Sequence, residues 1–112
     1  MSQMQRLLLV EDEPKRLKMY QAALAGAGFE VIPATNGARA LEVIAAGDVD
    51  LMVTEASIPG GDGIELVRRM CQRGAAAHVI LMLSALNNET VRRGLEAGAQ
   101  QYLVKPNGEL LA

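Results

Sequence analysis

Tryptophan is absent from this chain, and two tyrosines and one phenylalanine are its only aromatic residues. Leu, Val, Ile, Ala and Met must therefore build the core, and with half of the 112 residues hydrophobic they are numerous enough for one domain. A single cysteine, Cys71, excludes an internal disulfide, and no Cys/His grouping has zinc-ligand spacing. The one histidine, His78, opens an apolar run, where a structural role is the simpler reading. No apolar run reaches transmembrane length, and Leu7 to Val10 is too short for a signal-peptide core and is followed at once by acids. The expected location is the cytoplasm. Neither sign of charge dominates: 11 basic and 13 acidic residues leave a net charge of −2. That balance argues against a whole-domain binder of nucleic acid or of anionic membranes. A Gly-rich phosphate loop after the first apolar run is also missing, which weakens any nucleotide-binding reading.

What is present centres on residues 50–63, DLMVTEASIPGGDG. Leu51-Met52-Val53 suits a strand buried on both faces of a parallel sheet. Glu55 stands at its carboxyl end, and a breaker segment, Pro59-Gly60-Gly61-Asp62-Gly63, follows. In an open α/β sheet, ligands collect at the carboxyl ends of the strands.

The rest of the chain supplies such a sheet. RLLLV at residues 6–10 reads as a buried strand, and Pro14 suits the first turn of a helix with Leu17, Tyr20, Leu24 and Ala27 inward and Gly28 as its stop. Residues 29–32 form a short strand that Pro33 marks as a sheet edge. Asn36 can cap a second helix, with Ala40, Leu41 and Ile44 inward and an end near Gly47. After the central strand at 50–55, Asp62 caps a third helix carrying Ile64, Val67, Met70 and Cys71 inward, with Gly74 as its stop. Residues 79–83, VILML, are another buried strand. Asn87 or Asn88 caps a fourth helix through Ala97, which an internal Gly94 should loosen. Gln101 to Val104 is a fifth strand, and only residues 108–112 remain for a fifth helix. Alternation of this kind means βαβ units in a doubly wound parallel sheet. The whole of 1–112 is expected to be one domain, shortened or cut from a longer protein.

Right-handed crossovers bring all the strand ends to one edge. There the sequence places Glu11 and Asp12, Glu55, Ser84 and Lys105. Clustered carboxylates favour a proton or a cation, and an oxygen-only set suits Mg²⁺ with phosphate oxygens and water. A lysine opposite can neutralise a phosphoryl group or pair with a carboxylate.

In order and spacing, LLLVEDEP, DLMVTEASIPGGDG, MLSA and GLEAGAQQYLVKP together resemble the receiver domains of two-component response regulators. The resemblance spans essentially the whole chain. It implies a flavodoxin-like fold with strand order 2-1-3-4-5, an Mg²⁺-dependent aspartyl phosphate, a histidine kinase or phosphotransfer protein as partner, and an output domain elsewhere. By position, Glu11 and Asp12 match the metal-binding acids, together with the acceptor position Glu55 and the backbone carbonyl of Ser57. Ser84 matches the hydroxyl that moves to the phosphoryl group, Tyr102 the aromatic whose rotamer follows it, and Lys105 the phosphate-contacting lysine. The Lys105-Pro106 bond matches a peptide that is typically cis.

The departure lies at the centre, because Glu55 stands where the family has its phosphorylated aspartate. The extra methylene moves the carboxylate outward by roughly 1.5 Å. Phosphoryl transfer rests on positioning, where a misplacement of about 1 Å can cost ~10²-fold. The expectation is thus a regulatory module, not an enzyme, that works without phosphorylation: Glu55 either reaches toward Lys105 or Ser84, partly imitating the phosphorylated state, or simply fills the pocket in an inactive form. Slow use of Glu55 as an acceptor is the alternative. A haloacid-dehalogenase-like phosphotransferase is disfavoured, because Glu11-Asp12-Glu13 is not the D-x-D that such enzymes need. Asn107 also departs, standing where an aromatic commonly follows Lys-Pro. Arg92 and Arg93 read as a solvated helix face.

Overall fold

A computed structural model describes residues 4–58, 61–72 and 78–105. Seven strands and four helices follow one another along it: β1 (Arg6–Val10), α1 (Pro14–Gly26), β2 (Glu30–Ala34), α2 (Gly37–Ala46), β3 (Leu51–Glu55), β4 (Ser57–Ile58), β5 (Gly61–Asp62), α3 (Gly63–Gln72), β6 (His78–Leu83), α4 (Asn88–Ala97) and β7 (Gln101–Val104). The five long strands form one parallel sheet in the order β2-β1-β3-β6-β7. With the two-residue hairpin β4–β5 set aside, this is the expected 2-1-3-4-5 order of a flavodoxin-like, doubly wound sheet. The expected fifth helix, the stop at Gly74 and the Lys105-Pro106 peptide lie outside the described residues. No helix among the described residues is long and apolar enough to cross a membrane.

Local chemistry accounts for the helix starts. The Asn36 side chain accepts from Arg39 N at 2.8 Å, and Asn87 accepts from Thr90 N at 3.0 Å, so each caps its helix. Asp62 accepts from Ile64 N at 2.8 Å at the start of α3. Pro14 opens α1 as expected, but its cap is Glu13, whose carboxylate accepts from Lys15 N and Arg16 N.

Several expectations need correction. β2 runs through Pro33, to Ala34, because the strand is an edge and proline there forfeits no ladder bond. Ala27 is exposed, since α1 ends at Gly26 and Ala27 is its C-cap. Leu41 is 40 % exposed, and Val43 takes its inward place, forming an i, i+3, i+4 stripe with Ala40 and Ile44.

Side chains alternate across the sheet, so each strand serves two cores. Leu8, Val10, Met52, Val79 and Leu81 pack under α2 and α3 with Ile64, Leu66, Val67 and Met70. Leu7, Leu9, Val53 and Met82 face α1, against which Leu17, Tyr20 and Leu24 are only partly buried. On this α1 face the described residues leave an open cavity of about 350 Å³ between α1 and β7, lined by Leu9, Tyr20, Leu24, Val53, Met82 and Leu103, among others.

Candidate functional site

Strand register assembles the site. Val10 is paired with Thr54, and Glu55 with Met82, while Leu83 is paired with Val104. Ladder bonds continue one residue past the strands, from Glu11 N to Ala34 O (3.0 Å), Ala56 N to Met82 O (2.8 Å) and Lys105 N to Leu83 O (2.8 Å). Glu11, Glu55 and Lys105 are thus set at one carboxyl edge of the sheet by backbone pairing. Glu11 continues the parity of Leu7 and Leu9, and Glu55 that of Val53, so both carboxylates follow the face that α1 covers.

Two of the three acids are buried. Glu11 is wholly buried and Glu55 is 6 % exposed, whereas Asp12 is open to solvent. One carboxylate oxygen from each of Glu11, Asp12 and Glu55 lies within 4.8 Å of the others. Buried carboxylates require partners, and cations supply them here. Lys105 Nζ is in direct ion-pair contact with Glu55 Oε1 and stands 3.8 Å from Glu11 Oε1. Glu11 Oε1 also accepts from Arg16 Nε at 3.2 Å, and Glu11 Oε2 accepts from Glu13 N at 3.0 Å. Burial pulls the Lys105 ammonium below its usual pKa, and Arg16 adds to that, while the Glu11 and Asp12 carboxylates oppose it. Glu13 is held below the usual carboxylate range by the backbone donors of Arg16 and Lys15 that it caps.

Beside the acids is a depression of about 180 Å³ with a mixed lining, Glu55, Ser57, Ser84, Asn87 and Thr90 together with apolar Met82 and Leu83 among others. Ser84 and Ser57 are exposed there. Tyr102 stands apart: it is 42 % exposed on β7, and the depression's lining does not include it. His78 is exposed at the start of β6, and Arg92 pairs with Glu89 and Glu96 on its own helix. Arg93 does more than solvate α4, since it reaches Asp62 at 3.4 Å.

Sequence reasoning missed two contributors. Arg16 sits on α1 and gave no motif signal. Gly63 was read as part of a breaker segment, yet a Cβ added there would overlap the Glu55 carbonyl oxygen. The close approach of α3 to the end of β3 needs a residue without a side chain at this point.

Chemically, the donor set consists of hard oxygens only, which fits Mg²⁺. The same edge holds two cations, so the cluster is largely self-neutralised.

The response regulator receiver domain family model matches residues 7–111. Among curated proteins, the transcriptional regulatory protein TcrA of Mycobacterium tuberculosis is 38 % identical over 102 residues, covering 90 % of this chain and 40 % of its own length. The transcriptional regulatory protein CusR of Escherichia coli is 40 % identical over 110 residues, covering 96 % and 48 %. The chain therefore spans less than half the length of these curated relatives. Among solved structures, a CheY-like receiver domain protein from Methanospirillum hungatei superposes with a TM-score of 0.88 at 25 % identity, covering 97 % of this chain and 89 % of that one. The Thermotoga maritima response regulator TrrA, determined in complex with Mg²⁺ and BeF, superposes with a TM-score of 0.82 at 29 % identity, covering 96 % and 94 %.

Proposed function

Because this chain belongs to the response regulator receiver domain family, we propose that it signals in a two-component phosphorelay through contacts with other proteins, independently of its own phosphorylation. The observation that carries this reading is the buried ion pair between Glu55 and Lys105. Glu55 occupies the acceptor position, and its carboxylate already holds the lysine that would otherwise meet an incoming phosphoryl group. A charge pair that is fully formed in the resting protein imitates that contact.

The proposed site has Glu11 and Asp12 as the principal metal ligands, assisted by Glu55 and the Ser57 carbonyl. Bound Mg²⁺ supplies neutralising positive charge at this edge. Ser84, which shares the depression with Glu55, is assigned as the hydroxyl that senses the state of that carboxylate. Tyr102 is assigned as the aromatic that reports the switch on the exposed surface of β7. The role is regulatory and not enzymatic, in the cytoplasm, with a histidine kinase or phosphotransfer protein and an output segment of a longer protein as partners. The transcriptional roles of TcrA and CusR support an output of that kind.

Intact mass after incubation with Mg²⁺ and a small-molecule phosphodonor tests the proposal, with Glu55→Asp run in parallel. The expected result is a phosphoryl adduct on Glu55→Asp alone, because shortening the side chain restores the acceptor's position and frees Lys105. An adduct on Glu55 of the parent protein would make the domain a live switch and overturn the reading. Labelling of neither would place the loss of phosphotransfer elsewhere than at the extra methylene.

A further inference from the structure

Both oxygens of the Glu11 carboxylate are taken within the protein. Oε2 accepts from Glu13 N at 3.0 Å, and Oε1 faces Arg16 Nε at 3.2 Å with Lys105 Nζ at 3.8 Å. The two cations differ in their freedom to leave. The Lys105 side chain is 10 % exposed and committed to Glu55, while the Arg16 side chain is 40 % exposed and has an open path to solvent. The backbone of Arg16 does not share that freedom. Its N–H donates to Glu13 Oε2 at 2.9 Å in the first turn of α1, so the guanidinium is tethered within reach of Glu11. The cap that holds it, Glu13, is itself tied to Glu11 Oε2, which joins the ligand and the tether in one small network.

We propose that Arg16 is a tethered competitor of the divalent cation, a positioning residue that occupies Glu11 and must swing outward before a metal can use that carboxylate. This rests on the reading of Glu11 and Asp12 as the metal's ligands. A guanidinium and a divalent ion sharing one buried oxygen repel each other strongly, so one must yield. The groups facing the exchange are Glu11, Asp12, Glu13 and Glu55 on the acidic side and Lys105 on the basic side. Only Arg16 among the cations can move away without stranding Glu55. Metal affinity is then set low by the protein's own side chain and is not solely a matter of the acids present.

Calorimetric titration with Mg²⁺ tests this in the parent and in Arg16→Gln, Arg16→Lys and Asp12→Ala, with thermal midpoints taken alongside. The expected result is affinity roughly tenfold tighter for Arg16→Gln, the order that follows from removing one nearby unit charge at a half-exposed site. Arg16→Lys, which keeps the charge, should stay close to the parent, and Asp12→Ala in the Arg16→Gln background should lose the gain. Arg16→Met serves as a second neutral variant if Arg16→Gln loses its fold. If Arg16→Gln binds no more tightly than the parent while Asp12→Ala binds less, the competitor role is overturned and the ligand reading stands. If no variant binds Mg²⁺, the ligand reading fails and takes the competitor role with it.

Discussion

At Lys105 a single ammonium serves two buried carboxylates, Glu55 by direct pairing and Glu11 at 3.8 Å. Removing one partner of a buried pair leaves an uncompensated charge, which typically costs about 3–5 kcal/mol. Lys105→Ala is therefore expected to lose roughly 3 kcal/mol in urea denaturation. Adding Glu55→Gln should recover most of it, because a neutral amide needs no counter-charge. Equal loss in the single and double variants would mean that Lys105 does not act on the charge of Glu55. The acids and the lysine were legible in the sequence because each follows an apolar run, and strand ends are where chemistry collects. Arg16 was not legible in the same way. Its partner lies five residues away, across a strand end and a cap, and no helical spacing rule links such a pair.

The elements fit one another through glycines as much as through apolar stripes. Gly63 begins α3 directly against the Glu55 carbonyl, and Gly94 lets α4 lie against Leu81. A methyl group at Gly63 would meet backbone, which cannot rotate away as a side chain can. Gly63→Ala should accordingly cost roughly 2 kcal/mol or more, read as a lower urea midpoint; an unchanged midpoint would show that β3 and α3 can separate there without loss. Helix propensity alone suggests that Gly94 loosens α4. The structure gives it a packing reason, since a Cβ would overlap the end of the Leu81 side chain. Caps were easier to read, because Asn36, Asp62 and Asn87 act through bonds to residues two or three positions on. Leu41 was misassigned because a ten-residue helix with apolar residues at 40, 41, 43 and 44 admits more than one inward stripe.

At the scale of the whole molecule, the described residues cover the two faces of the sheet unevenly. The α2–α3 face holds the larger closed core, whereas the α1 face leaves Leu17, Tyr20 and Leu24 half-buried beside a cavity of about 350 Å³. Truncating a closed site opens a cavity, and truncating an open one mainly loses contact. Leu81→Ala should thus cost roughly 3 kcal/mol and Leu24→Ala about 1 kcal/mol, compared by urea denaturation; equal costs would mean that the α1 face is as tightly packed as its opposite. The sequence by itself determined the βαβ alternation, the parallel sheet, the residues at its carboxyl edge and the glutamate at the acceptor position. Those features follow from hydrophobic period, breakers and caps, all local properties of a chain. Only the tertiary structure decided that Glu55 turns to Lys105, that Arg16 lies on Glu11, and that Gly63 must be small. These depend on strand register and helix approach, where a shift of a few ångströms changes which charges meet and no nearby residue announces the outcome.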